Sequence, residues 1–514
     1  MSILATIIAS TAISIIEPAS VATGYVFEDT NRNGVRDRGE RGITGVYVSD
    51  QDQVTKTDRQ GKWTLPVKSN DVVFFVVKPR NWMTPVDQHQ LPKFYYSHKP
   101  EGSPKQKVAG VEPTGPLPAS IDFPLHRSQE PNQFEALVFG DTQTRNVKEV
   151  EYLRKDIIEP IIGKTKARFG MTLGDIVFDD LTVLDPIVKA VSLLEMPWYN
   201  VLGNHDINFD AADDADTDET FQRWFGPNYY SFDHGPVHFV VMDNVHWTIP
   251  EGAERGSYIG KFGERQLAWL REDLKTVPMN RLVVFAMHIP LTSTTDRQDF
   301  YRLIESRPFS FSVSAHAHFQ EHHFIGEGQG WKGKEPHHHL IHVTACGSWW
   351  QGSLDPMGIP HTQMRDGAPN GYSLFRFDGN QYSIHFRAAR RPDDYQIQIH
   401  APDEVEFAAS HSITLYANVF AGNERSKVEY RVGDSPFWKP MAMTSEPDPL
   451  YVAMHEADKT LTSPLRPLPA PMNSPHLWKA TIRTVLTPGI VPIHVRTTDM
   501  FGQTFYATKG IVIK

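Results

Sequence analysis

Five short polar clusters in the middle of this 514-residue chain carry side chains of the kinds that bind metal ions. In chain order they are Gly140-Asp141-Thr142-Gln143, Gly174-Asp175, Gly203-Asn204-His205-Asp206, Met287-His288 and Ala315-His316-Ala317-His318. Each cluster follows an apolar run of the kind that forms a buried strand. Carboxylates, side-chain amides and imidazoles in one set are the ligands of a hydrolytic site with two metal ions.

The predicted ligands divide into two groups around a shared carboxylate. Residues two apart in an extended segment point the same way, so we predict that Asp141 and Gln143 hold one metal, with His318 on its far side. The second metal is predicted to be held by Asn204, His288 and His316. Asp175 is the natural bridge, because two ions about 3.5–4 Å apart need one carboxylate in common.

His205 is predicted to have a different role from its neighbour Asn204. The two side chains cannot point the same way, so His205 is free to face the substrate. For hydrolysis of a phosphate ester, it would donate a proton to the leaving group or stabilise the charged transition state. A hydroxide that bridges the metals would attack the phosphorus. Arg145 is a candidate contact for a phosphate oxygen, with an exposed surface arginine as the alternative.

Alternating strand and helix signals predict an α/β core over residues 134–392. Ligands in such cores lie just past the carboxyl ends of strands, and all five clusters follow predicted strands. The two flanks, residues 24–127 and 396–514, carry short β-rich runs between turn residues. We therefore predict that each flank is a small all-β, sandwich-like domain.

The five clusters resemble the pattern of the calcineurin-like metallophosphoesterase superfamily. That pattern reads Asp-x-His, Gly-Asp, Gly-Asn-His-Asp/Glu, a lone His and then Gly-His-x-His, and the resemblance covers Phe134 to Arg390. It implies a four-layer αββα sandwich core and a dinuclear metal-dependent phosphoesterase that hydrolyses small phosphate mono- or diesters. The flanks are similar to those of bacterial members with N-terminal and C-terminal β domains.

Three positions depart from the family pattern. Gln143 stands where the family usually has His, and a neutral oxygen ligand favours hard ions. Among Mn, Fe, Mg and Zn we therefore favour Mn. Ala315 replaces a common Gly, and Asp179 lies four residues past Asp175, where the acid that orients the catalytic His often lies three past. The orienting role is therefore not carried over to Asp179.

Taken singly, each cluster is a weak signal. Gly-Asn-His-Asp is compatible with a plain turn, and a lone His288 is more often a core histidine than a ligand. The joint occurrence in order favours the enzyme. The rival function is an envelope binding or adhesion protein with an inactive phosphoesterase core.

A second metal motif occurs near the start of the chain. Residues 29–40 fit the twelve-residue calcium loop. Its ligand-type residues are Asp29, Asn31, Asn33, Asp37 and Glu40. The flanking runs look like strands, so this is not an EF-hand. The motif predicts a structural calcium site, and an Asn-Gly turn with solvated charges is the alternative.

Several residues after the last cluster are candidates for the wall of a substrate pocket. They are Trp349, Trp350, Asn370 and Tyr372. Core packing of one tryptophan is the alternative. The histidines at 337–339 and 342 invite a metal interpretation, but His-rich loops are usually solvated, so we predict no second site there.

Composition limits the partners and the compartment. The net charge is −10 and the pI near 6.1, which gives no reason to expect nucleic acid. Cys346 is the one cysteine, so no intrachain disulfide forms. An apolar run before a small-residue site predicts a signal peptide over residues 1–22 and a periplasmic or secreted bacterial protein. A buried first strand or a mis-assigned start codon is the alternative. No other segment approaches a membrane span, and the oligomeric state stays open.

Overall fold

The computed structural model describes residues 20–249, 251, 256–409, 412–483 and 486–514. Residues 1–19 of the predicted signal peptide lie outside the described residues. Its last two residues, Val21 and Ala22, are the first residues of strand β1 (Val21–Glu28). None of the described helices is long and apolar enough to cross a membrane.

The N-terminal part consists of two four-stranded sheets. Besides β1, its strands are β2 (Tyr47–Ser49), β3 (Val54–Lys56), β4 (Lys62–Pro66), β5 (Val72–Val77), β6 (Trp82–Met83), β7 (Tyr95–His98) and β8 (Phe123–Arg127). The strand orders are β4-β1-β8-β6 and β3-β2-β5-β7. Strand β5 is buried along its whole length, and its Phe75 packs edge-on against Trp269 of the central part. An apolar contact therefore joins the N-terminal part to the rest of the chain.

The central part alternates strands with helices, as expected for an α/β core. Its strands are β9 (Gln133–Phe139), β10 (Gly170–Thr172), β11 (Trp198–Asn200), β12 (Tyr230–His234), β13 (Val237–Val241), β14 (Val245–Thr248), β15 (Ser257–Gly260), β16 (Val283–Ala286), β17 (Ser310–Ser314), β18 (Glu321–Ile325), β19 (His337–Ile341), β20 (Gly371–Asp378) and β21 (Gln381–Ala388). Its helices are α1 (Val147–Leu153), which continues through a π-helical turn (Arg154–Ile158) into α2 (Glu159–Ile161), α3 (Leu184–Ser192), α4 (Glu219–Phe225), α5 (Glu264–Lys275) and α6 (Arg297–Ile304).

Two mixed sheets bring the strand ends together. One has the order β11-β10-β9-β20-β21, with β9, β10 and β11 parallel. The other has the order β12-β13-β16-β17-β19-β18, with β13, β16, β17 and β19 parallel. A β-bridge joins Gly140, the residue after β9, to Thr344, which lies just after β19. This bridge connects the two sheets at the carboxyl ends of these strands. Segments that follow these parallel strands therefore meet at one edge.

Buried side chains of β9 alternate between two apolar clusters, as the pleat of a strand requires. Leu137 and Phe139 pack in a cluster with residues of α1 and α3. Ala136 and Val138 pack in the other cluster, with residues of the second sheet such as Phe239. The sheet that carries β9 is therefore covered on both faces.

The prediction of a solvated His-rich loop at 337–339 was wrong. These residues form β19, which lies between β17 and β18 and is buried along its length. Serine hydroxyls of β17 supply the missing hydrogen-bond partners: Ser312 Oγ lies 2.8 Å from His337 Nε2 and 2.8 Å from His339 Nδ1. Cross-strand serines thus make a buried histidine strand possible, since buried polar groups need partners.

The described residues of the C-terminal part form a pair of β-sheets with one α-helix. Its elements are β22 (Ile397–His400), β23 (Glu404–Val405), β24 (Ile413–Val419), β25 (Lys427–Val432), β26 (Lys439–Pro440), β27 (Ala442–Thr444), α7 (Pro449–Asp458), β28 (Leu477–Ile482), β29 (Gly489–Thr498) and β30 (Thr504–Ile513). The strand orders are β22-β24-β28-β27 and β23-β30-β29-β25-β26. His476 of this part is buried against Asp366 of the central part, with Nε2 2.8 Å from Oδ2.

Candidate metal centre

The predicted ligands lie where strands of the two central sheets end. The residues that follow β9, β10, β11, β16 and β17 are, in turn, Asp141 with Gln143, Asp175, Asn204 with His205, His288, and His316 with His318. All are buried except His205 and His316, which are half-buried. Direct contacts connect all seven predicted metal ligands into one set.

Asp175 lies between the two predicted ligand groups. Its Oδ1 is 3.2 Å from His288 Nε2, and its Oδ2 is 3.0 Å from Gln143 Nε2. The Asn204 Oδ1 and the His316 Nδ1 lie 3.0 Å and 3.1 Å from the same His288 nitrogen. One carboxylate therefore faces ligands that the sequence assigned to different ions.

The other end of the set is built around Asp141. His318 Nε2 lies 3.1 Å from Asp141 Oδ2, and the His316 backbone N–H donates to Asp141 Oδ1 at 3.0 Å. Asp141 Oδ2 makes no hydrogen bond with the described residues although it is buried. A buried carboxylate oxygen without a donor is an acceptor in need of a cation.

Backbone carbonyls fix the orientation of two histidine rings. His288 Nδ1 lies 2.8 Å from the Leu173 carbonyl oxygen, and His318 Nδ1 lies 2.6 Å from that of Gly347. Nδ1 is therefore the donor when either ring is neutral, and Nε2 of the neutral ring then turns its lone pair toward the carboxylates. This is how a protein prepares imidazoles for a metal.

The charges of the set also fit a divalent cation. Burial lowers the pKa of His288, but the adjacent Asp175 outweighs burial and raises it to about 9. Burial raises the pKa of Asp175, yet His288 and His205 together hold it below its ordinary value. The carboxylate thus stays ionised in a buried place and requires positive charge beside it. Asp175, His288 and His316 offer ligand atoms within 4.8 Å of one another, the one such group among the described His, Cys, Asp and Glu residues.

Glycines allow the clusters after β10 and β11 to touch. A Cβ on Gly203 would lie 1.9 Å from the Asp175 nitrogen, and one on Gly174 would lie 2.6 Å from His288 Nδ1. Only residues without a side chain permit this approach. Left-handed backbone at Asp175 (φ 48°) and His316 (φ 67°) also marks the site, since such strain concentrates at functional positions.

His205 stands beside the set rather than within it. Its Nε2 is 4.0 Å from Asp175 Oδ2, and its Nδ1 is 2.5 Å from Asp179 Oδ1. The ring stacks on Phe178, with centroids 4.4 Å apart. Burial lowers the pKa of His205, but Asp175 and Asp179 together raise it. Asp179 therefore pairs with His205 despite its unusual spacing from Asp175, because a left-handed backbone (φ 65°) turns it back toward the ring.

Trp349 and two arginines border the same set. Trp349 stacks on His318, with centroids 4.0 Å apart. Its carbonyl oxygen accepts from Arg145 Nη1 at 2.9 Å and from Arg466 Nη2 at 3.1 Å. Arg145 also lies over the Phe178 ring at 4.0 Å. The sequence pointed to Trp349 and Arg145, whereas nothing in a Pro-rich loop signalled Arg466.

Of the other predicted pocket residues, Trp350 and Asn370 are buried and Tyr372 is half-buried against the apolar core. Trp350 is buried and donates from Nε1 to the Thr142 carbonyl at 3.1 Å. Asn370 is buried and donates to Asp156 at 2.7 Å, and Tyr372 packs edge-on against Phe139. These three side chains support the strands beneath the ligands. The tryptophans differ because adjacent residues of a loop point to different sides.

Cys346 is a contact that the ligand pattern does not predict. Its Sγ is 3.8 Å from both Gln143 Oε1 and His318 Nδ1. Burial raises the pKa of this thiol well above its ordinary value. A neutral thiol therefore packs beneath the atypical ligand Gln143.

The predicted calcium loop forms a compact turn after β1. Asp29 accepts from the backbone N–H groups of Asn33 and Gly34, at 3.2 Å and 2.8 Å. Asp37 accepts from the side-chain amides of Asn31 and Asn33. Backbone and amide donors thus occupy the acidic oxygens of this turn, and the calcium site stays a prediction.

Family models match the chain over three successive stretches. The model described as calcineurin-like phosphoesterase matches residues 134–320, which include every predicted metal ligand. The models for the N terminal and the C terminal of calcineurin-like phosphoesterase match residues 30–110 and 339–505. No curated protein matches the sequence.

Two solved structures show weak similarity. The purple acid phosphatase from yellow lupin (Lupinus luteus) seeds is 11% identical at a TM-score of 0.36, over 67% of this chain and 66% of its own length. A putative superoxide reductase from Thermotoga maritima is 11% identical at a TM-score of 0.14, over 23% of this chain and 85% of its own. Scores this low support no argument, so the assignment rests on the three family models. By those models, the chain belongs to the calcineurin-like phosphoesterases with flanking N-terminal and C-terminal domains.

Proposed function

We propose that this protein is a dinuclear metal-dependent hydrolase of small phosphate mono- or diesters. The observation that carries the proposal is the position of Asp175, whose two oxygens face ligands of both predicted ions. The division of β9 side chains between two apolar clusters supports a four-layer αββα core around this site.

The ligands would be divided as the sequence suggests. Asp141, Gln143 and His318 would hold one ion, and Asn204, His288 and His316 the other. When bound, a pair of divalent ions lowers the pKa of water and draws charge from phosphoryl oxygens. Gln143 offers a neutral oxygen in place of an imidazole, which favours manganese over zinc.

His205 would act at the leaving group. Asp175 and Asp179 raise the pKa of His205, which favours the protonated ring, and Asp179 holds the Nδ1 side. The Nε2 side is then free to donate a proton to the departing oxygen. Arg145 and Trp349 would border the substrate on the side of His318.

Metal analysis and one paired assay test the proposal. Protein purified in metal-replete buffer should hold about two transition-metal ions per chain. It should also hydrolyse an aryl phosphate monoester or an aryl phosphate diester when Mn²⁺ is added. Less than one ion per chain, or metal without turnover of either ester, would favour the rival binding protein with an inactive core.

His205→Ala should lower kcat by about 10²–10⁴, the contribution expected of a proton donor. The metal content should stay unchanged, because His205 Nε2 lies outside the set of metal ligands. Steady-state kinetics and metal analysis on the same preparation check both. His494→Ala, in strand β29, serves as the control. Metal content that falls in step with kcat would make His205 a ligand or a structural residue.

Asp179→Asn should move the basic limb of the pH–rate profile to lower pH. Asp179 helps to raise the pKa of His205, so its loss makes the ring deprotonate earlier as pH rises. The loss of kcat above neutral pH should be about tenfold, a part of the full donor effect. Asp180→Asn, the adjacent carboxylate that caps Thr182, is the matched control. An unshifted limb would mean that Asp179 does not act on the reaction.

Two further expectations concern the flanks. We propose export to the periplasm or medium, and mass measurement of the protein recovered from a bacterial culture tests for removal of a leader. We also propose calcium in the Asp29–Glu40 loop, and equilibrium dialysis with Asp29→Asn as comparison tests it. Calcium bound equally by both proteins would contradict that loop as the site.

A further inference from the structure

A large polar cavity lies between the N-terminal sheets and the central part, apart from the metal centre. Its volume is about 660 Å³. Gln51, Ser69 and Asp71 line it from the N-terminal side, and Asp218 and Gln222 belong to its central wall. None of the predicted metal ligands lines it, nor does His205.

The wall of the cavity is strongly acidic. Its acidic residues are Asp71, Asp213, Asp214, Asp218, Asp243 and Glu264. Lys261 and Arg265 are the lysine and arginine of its wall, and the Arg265 guanidinium already pairs with Asp52 at 2.6 Å. His246 of the wall lies 2.8 Å from Asp214, and Lys99, outside the wall, lies 3.0 Å from Asp71. Carboxylates therefore outnumber available cations around this space.

Asp218 and Gln222 in the wall each have one buried acceptor atom without a hydrogen-bond partner in the described part of the chain, although a side-chain hydrogen bond from Gln222 lowers the pKa of the Asp218 carboxyl. Asp218 is 5% exposed and its Oδ1 has no hydrogen-bond partner among the described residues, and the same holds for Oε1 of Gln222, which is 7% exposed. The two residues lie one helical turn apart, so their side chains share a face. Burial raises the pKa of Asp218 to about 7 and that of Asp243 well above its ordinary value. Buried acceptors of this kind are costly unless a donor reaches them.

The spacing of these groups favours an organic cation over a metal ion. A metal requires three or more ligand atoms in close reach, and the described His, Cys, Asp and Glu residues meet that condition only at Asp175, His288 and His316. The cavity volume is instead that of a pocket for a small molecule. Tyr229 and Phe262 in its wall offer apolar surface for a carbon chain.

We propose that this cavity binds a small organic cation with a primary ammonium or guanidinium group, which donates to Asp218 Oδ1 and Gln222 Oε1. The site goes beyond the proposed phosphoesterase activity and needs no metal. The N-terminal sheets would then contribute to ligand binding through Asp71 and Gln51.

Calorimetric titration of the full-length protein with 1,5-diaminopentane tests the site, with 1,5-pentanediol as the uncharged probe of equal length. The diamine should bind and the diol should not. Asp218→Asn should weaken diamine binding at least about tenfold, the effect of losing one charged hydrogen bond. Asp216→Asn changes a nearby carboxylate that does not line the cavity and should leave the affinity within about twofold.

A second variant guards against misfolding of Asp218→Asn. Gln222→Lys places an ammonium next to Asp218, so it should abolish diamine binding and raise the melting temperature. Equal binding of diamine and diol, equal affinity of wild type and a folded Asp218→Asn, or full binding by Gln222→Lys would overturn the proposal. The titration requires no turnover, so it is independent of the phosphoesterase proposal. In active protein, competitive inhibition of phosphoester hydrolysis by the diamine would mean that the cationic group belongs to the substrate. Unchanged hydrolysis would mean that the cation is a separate ligand.

Discussion

Asp175→Asn should abolish phosphoester hydrolysis and reduce the metal content from two ions to one or none. An amide has no charge to share between two cations, and it removes the carboxylate that faces both His288 and Gln143. The expected loss in kcat/KM is at least about 1,000-fold, or about 4 kcal/mol, because a metal supplies several kcal/mol of transition-state stabilisation.

The comparison for this prediction is Asp185→Asn. Asp185 is half exposed on α3 and pairs with Lys189, four residues on, so its loss should leave rate and metal content unchanged. Both proteins are measured by metal analysis and by hydrolysis of the aryl phosphate esters. An Asp175→Asn protein that keeps two ions and more than a tenth of the activity would contradict the bridging role.

Buried histidines in and near β19 should by themselves lower the free energy of unfolding of the metal-free protein by about 7 kcal/mol between pH 7.5 and pH 5.5. Five buried histidines on β18 and β19 and just after β19 have lowered pKa values, to about 3 for His322 and His337 and about 4 for His342, and well below the ordinary value for His338 and His339. Burial is the main cause at each. As pH falls below about 6.5, these histidines bind protons in the unfolded chain and not in the folded chain. The free energy of unfolding then falls by about 1.4 kcal/mol per histidine per pH unit.

His234 and His385, whose pKa values are lowered by burial to about 2 and about 4, change stability in the same direction. Buried groups with raised pKa values oppose it. His238, whose pKa two carboxylates raise to about 9 against the effect of burial, gains its stabilisation as pH falls toward 6.5 and adds nothing further below that. Urea unfolding in EDTA at pH 7.5, 6.5 and 5.5 measures the loss. His337→Gln should reduce the loss at pH 5.5 by about 1 kcal/mol. An equal pH dependence in the wild type and in His337→Gln would show that His337 takes up its proton while the chain is folded.

Much of the site follows from sequence because its chemistry is local. Asp141 and Gln143, or His316 and His318, each occupy one short segment after a strand, so their residue types and spacing identify them. The order of strands in a sheet then places such segments next to one another at the same edge. The α/β centre with β-rich flanks follows from hydrophobic periodicity in the same way.

What escaped prediction depends on contacts between distant segments. Burial of His337 and His339 depends on serines of β17, some 25 residues earlier, and sequence composition alone suggests a polar loop. The pairing of Asp179 with His205 depends on a left-handed turn that no spacing rule contains. Arg466 reaches Trp349 from a loop 117 residues away.

That last contact bears on whether this protein is modular. A chain cut after residue 392 would keep every predicted metal ligand and the proposed proton donor, His205. It would lose Arg466, one of two arginines that donate to the Trp349 carbonyl oxygen. Trp349 has a left-handed backbone, and its indole stacks on His318. The candidate metal centre therefore depends on a contact from the C-terminal part. Recombination or fusion that exchanges the C-terminal part without a replacement for Arg466 would leave this candidate site incomplete.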